Sequence, residues 1–294
     1  MADNSIVKKA RESAKKDIKK KERRLSQFER DLKKFFKQIA DDYSAIYHAS
    51  GEILNLNESY EAELNSVLKR NYRDIQADFS SDIRSELDAI AKQKELEAEK
   101  DRRHALDAKI AVVLGAVVLL KAKNISPKII KTIQETLIKK TNDFVASKAL
   151  EGITVGRAEV ASTVGKSMKD WGSSHAPIVA LTETQTTAEQ AKYIEASGIV
   201  EEVLGKGVKK EGADKTWVTY GDEKVRSSHQ SLDSRTINQD DLFVTGQGNS
   251  LLFAGDIDHA PISDVINCRC STVYHLNSAI TEVIMNKIFK KKGK

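Results

Sequence analysis

The chain has 294 residues, 31% of them charged and 6% aromatic, and carries a formal net charge of +5. This length holds one large domain or two modest ones, and many charges with few aromatics favour long solvated helices over a compact enzyme-like globule. The N-terminus MADNSIVKK lacks the apolar core of a secretory signal, and with two cysteines in all the chain reads as a reduced, intracellular product and not a disulfide-stapled scaffold.

From Ser5 to Lys123 turn signals are few, and no proline precedes Pro127. Apolar residues recur three and four apart at Leu25, Phe28, Leu32, Phe35, Phe36 and Ile39, then at Leu64, Val67, Leu68, Tyr72, Ile75, Phe79, Ile83 and Leu87. That period predicts two long amphipathic helices, broken near Ser50-Gly51. Lys92–Lys109 is charged on nearly every face and reads as a solvated helix or linker. The apolar run IAVVLGAVVLL, Ile110–Leu120, lies between Lys109 and Lys121. It falls short of the roughly 20 residues a spanning helix needs, so a buried core helix is expected there.

Farther along, Ser126 reads as the N-cap of a helix with Pro127 in its first turn, and Gly152 as its stop. Shorter helices are predicted over Arg157–Trp171 and Thr187–Leu204, with GSSHAP as the loop between them. At Gly205 the character changes: KTWVTYGD alternates like a strand entering a turn, and STVYHL is a second β-prone stretch. The expected fold is therefore a mainly α N-terminal region of long amphipathic helices with a small C-terminal α+β domain. Its divisions are 1–123 (long helices), 124–204 (a helical lead-in), 205–280 (the α+β module) and 281–294 (a basic tail). Ser5–Arg24 and Lys287–Lys294 are lysine-rich, suited to a solvated face or to phosphate contacts.

The chain has no GxxxxGK[ST], no GxGxxG at a strand-to-helix turn, no HExxH and no GxSxG, so no enzyme activity or catalytic residue is expected. His48 and His104 read as surface residues and His175 as a loop residue. His229, His259 and His275 share the last quarter of the chain with Cys268 and Cys270, the two thiols of VINCRC. Thiolate and imidazole are zinc ligands, so His229, Cys268 and Cys270 offer a weak, incomplete zinc site; packing as small buried thiols is the favoured account, and no cofactor is expected. A reactive cysteine served by His229 and either Asp222 or Asp233 is a third reading. Cysteines two apart in a strand do not readily bridge one another, so no structural disulfide is expected.

Taken together, the strings IVALTETQTTAEQAKYIEASG, KTWVTYGDEKVRSSHQSLD and DLFVTGQGNSLLFAGDIDHAPISDVINCRC resemble the phage head morphogenesis family, the minor head proteins typified by the F protein of phage Mu. The likeness covers about Ile178–Tyr274. It falls on Thr182, Glu183, Trp217, Thr219, Asp222, Arg226, His229, Phe243, Gly255, Asp256, Asn267, Cys268, Arg269 and Cys270. Many relatives carry cysteines where this chain has Arg226 and His229, and a histidine where it has Val265, so their zinc set is fuller. From the motif, Asp222 and Arg226 are expected to pair or cap, and Glu183 to accept from Arg226 or Arg269. The resemblance implies a structural virion protein of the head interior, near the portal, made in the host cytoplasm. Its implied partners are the portal protein and other head proteins, with packaged DNA reached through the basic termini and membrane reached only on ejection. A DNA- or membrane-interacting ejected protein is the alternative, and a zinc-dependent enzyme or toxin a more remote one.

Overall fold

The computed structural model describes residues 4–79, 100–204 and 212–277; the basic tail 281–294 and the start of the charged stretch after Lys92 lie outside them. Among the described residues four long helices come first: α1 (Asn4–Ser50), α2 (Glu58–Asp78), α3 (Lys100–Leu150) and α4 (Arg157–Leu204). The break after Ser50 and the stop at Gly152 fall where the sequence puts them. Gly51 and Gly152 both adopt positive φ, 77° and 73°, a conformation that side-chain-bearing residues rarely take.

One compact unit comprises residues 24–73 and 117–181. Its core is the apolar stripe of each helix: Phe28, Leu32, Phe36, Ile39 and Tyr43 of α1, Leu64, Leu68 and Tyr72 of α2, Val118, Ala122, Ile133 and Leu137 of α3, and Val164 and Met168 of α4. Phe28 meets Tyr72 edge-on at 6.0 Å, and the Tyr43 hydroxyl is 2.8 Å from Thr141 Oγ1. Gln134 pins the α1–α2 connection, donating to the Leu54 carbonyl and accepting from Leu56 N.

Two helix boundaries expected from sequence are absent, each for a packing reason. Pro127 lies inside α3 and not at its start. The buried positions Val118, Ala122, Ser126, Ile130, Ile133 and Leu137 keep helical spacing straight across the exposed proline, so continuous burial outweighs the roughly 3 kcal/mol that an interior proline costs. GSSHAP likewise forms no loop; it runs through α4, and His175 is helical, stacked on Trp171 at 4.2 Å. A Cβ at Gly172 would come within 2.6 Å of Phe36 Cβ, so this glycine permits a close helix crossing and does not break the helix. The Ile110–Leu120 run is helical but only partly a core segment. Ile110 and Val118 are buried, whereas Val112 is 72% and Leu120 60% exposed.

The other unit comprises residues 1–23, 74–116 and 182–294. It holds β1 (Ala213–Val218), α5 (Ser227–Gln230), β2 (Thr236–Asn238), β3 (Phe243–Val244), β4 (Ser250–Leu251), α6 (Ile262–Val265) and β5 (Ser271–Leu276). β1 is the centre of an antiparallel sheet ordered β2-β1-β5, with Trp217 opposite Thr272; β3 and β4 form a separate hairpin. Trp217, Leu232, Phe243, Leu251, Ala254, Cys268 and Cys270 make the core. Ala10 and Ala14 of α1 pack on Val218 of β1 and Val273 of β5.

Behind the sheet, every residue of α4 from Thr182 to Glu189 is buried, although most are polar. Polar groups buried this way need partners inside the protein, and although Thr184 Oγ1 has none, its neighbours do. Gln185 donates to the Cys270 carbonyl (2.6 Å), and Thr186 to the Gly255 carbonyl (3.0 Å). Glu189 accepts from Thr272 N (2.8 Å), Ser271 Oγ (3.0 Å), Lys21 Nζ (2.6 Å) and Lys192 Nζ (2.9 Å). Lys192 also donates to Asp17 Oδ2 (2.9 Å) and the Thr272 carbonyl (2.8 Å).

Burial alone would raise the Asp17 pKa, but Lys192 and Lys21 outweigh it and hold the carboxyl below its usual range. For Lys192 burial acts downward, and Asp17 and Glu189 reverse it to a raised value. The Asp17 contribution to stability is therefore complete above about pH 3.9 and lost as pH falls through its lowered native pKa. The Lys192 contribution is complete below about pH 10.4 and lost as pH climbs through its raised one. Lys192→Met leaves Asp17 and Glu189 buried without this cation and is expected to cost about 3–5 kcal/mol in urea unfolding at neutral pH. A loss below about 1 kcal/mol would show that the network is solvated.

Candidate functional site

VINCRC runs from Val265, the last residue of α6, to Cys270, just before β5. The Cys268 amide donates to the Val265 carbonyl (3.0 Å), which folds the segment tightly as it leaves α6. Asn267 sits at φ 57°, in the left-handed region where asparagine is among the better-tolerated residues. Its amide donates to Thr182 Oγ1 (3.3 Å), so the α4 stretch anchors this turn too. The turn directs both thiols inward, where they are 1% and 3% exposed.

Across from them, α5 presents His229, itself 1% exposed and edge-on to Trp217 at 5.4 Å. His229 Nδ1 is 3.8 Å from Cys268 Sγ and 3.8 Å from Cys270 Sγ. Tetrahedral zinc with ordinary bond lengths would set imidazole nitrogen and thiolate sulfur about 3.6 Å apart, so the three donors fit a metal with little adjustment. Among the described residues this trio forms a cluster compact enough for an ion, with donor atoms all within 4.8 Å. The hydrogen bond from Cys270 pulls the Cys268 thiol well below its usual pKa, and the same pairing raises Cys270. A first deprotonation is thus easy and a second hard, which a bound cation would offset.

A small cleft, open to solvent, reaches this trio between Tyr220, Lys224, Arg226 and Arg269. Arg269 points away from the thiols and forks onto Asp222 at 2.7 and 2.8 Å, with its guanidinium over the Tyr220 ring. That fork holds the Asp222 carboxyl below its usual pKa. Asp222 also caps the Lys224 amide, while Arg226 donates to the Ile266 carbonyl. The expected Asp222–Arg226 partnership is thus replaced by Asp222–Arg269, since the chain reversal after Cys268 returns Arg269 to the turn that carries Asp222. Glu183 is buried on α4 beside Thr182.

The remaining candidates have other roles. Asp256 accepts from Leu252 N (2.7 Å), Asp258 N (3.1 Å) and His259 Nδ1 (2.7 Å), stapling the loop that begins at Gly255 and occupying His259. Gly255, at φ 84°, lets the chain pass close to Gln185. His275 is buried in β5 opposite Asp214, where desolvation lowers its pKa to about 4. Asp233 accepts from the Thr219 amide and hydroxyl at 2.9 Å and from Arg11. Both acids of the reactive-cysteine reading, Asp222 and Asp233, are therefore engaged elsewhere. A carboxylate that sequence reasoning passed over does face the histidine: Asp264 Oδ1 lies 3.9 Å from His229 Nε2. No motif marks Asp264; it is brought there by α6.

No curated protein and no solved structure matches the chain significantly. Residues 143–273 match the family model described as Phage Mu protein F like protein, a span that runs from the end of α3 through α4 and the site to β5. Through this segment, somewhat under half of its length, the chain is similar to the phage Mu F-like family.

Proposed function

We propose that the protein is a minor head protein of a tailed bacteriophage. It lies inside the capsid near the portal vertex and acts in head assembly, genome packaging or DNA ejection as a structural component without catalysis. The carrying observation is the match over residues 143–273, the span in which a hydrogen bond ties Asn267 to Thr182, and Cys268 and Cys270 pack into one core. Its partners are the portal protein and other head proteins, with packaged DNA met through the basic ends. Mass spectrometry of purified virions and of emptied ghosts tests this: detection in both is expected for a fixed head component. Loss from ghosts alone would assign it to ejection, and absence from both would sink the structural reading.

The ejection reading has one observation of its own. Val112, Val113, Leu119 and Leu120 of α3 are all 48% exposed or more, an apolar face with Lys109 and Lys123 at its ends. Among the described residues no helix is long and apolar enough to cross a membrane, so such contact would be interfacial. Sedimentation of the full chain with anionic vesicles is the check, and recovery wholly in the supernatant removes this reading.

We further propose that the domain takes one zinc ion on His229, Cys268 and Cys270, whose donor atoms lie within 4.8 Å of one another, where it would cross-link α5 to the segment before β5. About one equivalent of zinc is expected in gently purified protein, and Cys268→Ser should abolish its retention. Less than about a tenth of an equivalent in the unmutated chain would end this proposal.

A further inference from the structure

The imidazole of His229 has two nitrogens that point away from each other, and the protein treats them differently. Nδ1 faces the two sulfurs at 3.8 Å. Nε2 is buried, has no hydrogen-bond partner, and has the Asp264 carboxylate as its charged neighbour at 3.9 Å. A neutral imidazole carries one N–H, and whichever nitrogen bears it in the interior needs an acceptor. With the proton on Nδ1, the Nε2 lone pair would face a buried carboxylate. With the proton on Nε2, the N–H faces that carboxylate and the Nδ1 lone pair is left toward the sulfurs.

Asp264 is itself held in place. Its side chain is 3% exposed, its Oδ2 accepts from Asn249 Nδ2 (2.8 Å) in the β3–β4 hairpin, and its amide donates to the Pro261 carbonyl (2.9 Å). The second carboxylate oxygen, Oδ1, is the one directed at His229. Because Asp264 lies on the far side of the ring from the thiols, it cannot ligate an ion held by Nδ1. It can only act through the histidine, whose Nε2 it faces at 3.9 Å.

We infer that Asp264, clamped by Asn249, is a positioning residue that fixes His229 as its Nε2–H tautomer and so presents Nδ1 to a metal shared with Cys268 and Cys270. The metal part rests on the zinc reading above; the tautomer part does not. A carboxylate behind a ligating histidine raises its basicity and restrains its orientation, and losing such a partner typically costs 10–100-fold in metal affinity.

The test uses the full chain, ¹⁵N-labelled, with the His229 ring nitrogens read by long-range ¹⁵N–¹H correlation in metal-free protein at alkaline pH. Zinc affinity is read by competition with a chromophoric chelator for the unmutated chain, Asp264→Ala, Asp264→Asn and Cys268→Ser. The expected result is an Nε2–H tautomer in the unmutated chain and zinc binding about 10–100-fold weaker in Asp264→Ala. Asp264→Asn, whose amide oxygen still accepts, should fall between, and Cys268→Ser should bind none. An Nδ1–H tautomer in the unmutated chain overturns the inference, as does Asp264→Ala with unchanged tautomer and affinity. If the unmutated chain takes up no zinc yet shows Nε2–H, the metal reading falls and the positioning role stands. The tautomer is read without any variant, so the inference stays exposed even if Asp264→Ala fails to fold.

Discussion

The C-terminal module depends on a helix with no solvent-facing side from Thr182 to Glu189. Apolar residues at these positions would pack equally well against several alignments of the surrounding chain. Gln185, Thr186, Glu189 and Lys192 do not, because each has a definite partner: the carbonyls of Cys270, Gly255 and Thr272, and the amide of Thr272. A shift of one residue in β5 would break several bonds at once and leave their buried members unpaired, which costs more than each bond adds. The polar helix therefore supplies register more than net stability.

The placement of the thiols follows from this constraint. Gln185 holds the carbonyl of Cys270 and Glu189 the amide of Thr272, so the strand enters β5 at a fixed height. Thr182 holds the amide of Asn267 at the other end of the segment. Between these points the left-handed Asn267 turns the chain and sends Cys268 and Cys270 inward, while Arg269 between them emerges to meet Asp222. Outward arginine and inward thiols are two sides of one extended segment, as the two-residue period of extended backbone requires. His229 is added from the opposite side by α5, wedged against the Trp217 ring.

Much of this was legible in the sequence because it rests on local rules. The three-and-four spacing from Leu25 to Ile39 and the glycines at 51 and 152 report helix faces and ends directly. Pro127 and Gly172 misled because their local meaning, a helix boundary, is overridden by contacts distant in sequence: a buried stripe that continues across the proline, and the Phe36 side chain against which only glycine fits. In the site, Cys268, Cys270 and His229 could be picked out by residue type. Asp264 could not, since an aspartate in a short turn is common and its importance comes only from the hairpin residue Asn249 and the histidine it faces. The exchange of partners from Arg226 to Arg269 was equally hidden, because helical proximity suggests the first and chain reversal produces the second.

The basic stretch at the N-terminus shows how composition overstates available charge. Five of its members are used inside the unit: Arg11 on Asp233, Lys20 on the Asp78 carbonyl and the Phe79 ring, Lys21 on Glu189, Arg23 on Asp78, and Asp17, an anion among them, on Lys192. Of these, Asp17 and Lys21 share the face of α1 that carries the buried Ala10 and Ala14. Lys8, Lys9, Lys15, Lys16 and Lys19 are exposed. Any phosphate contact made by α1 would therefore draw on roughly half of the stretch's cations, while the remainder fix the helix to the module. One amphipathic helix thus divides its charge between folding and surface, and the division is set by the position of Asp17, Asp78, Glu189 and Asp233 and not by the lysine count.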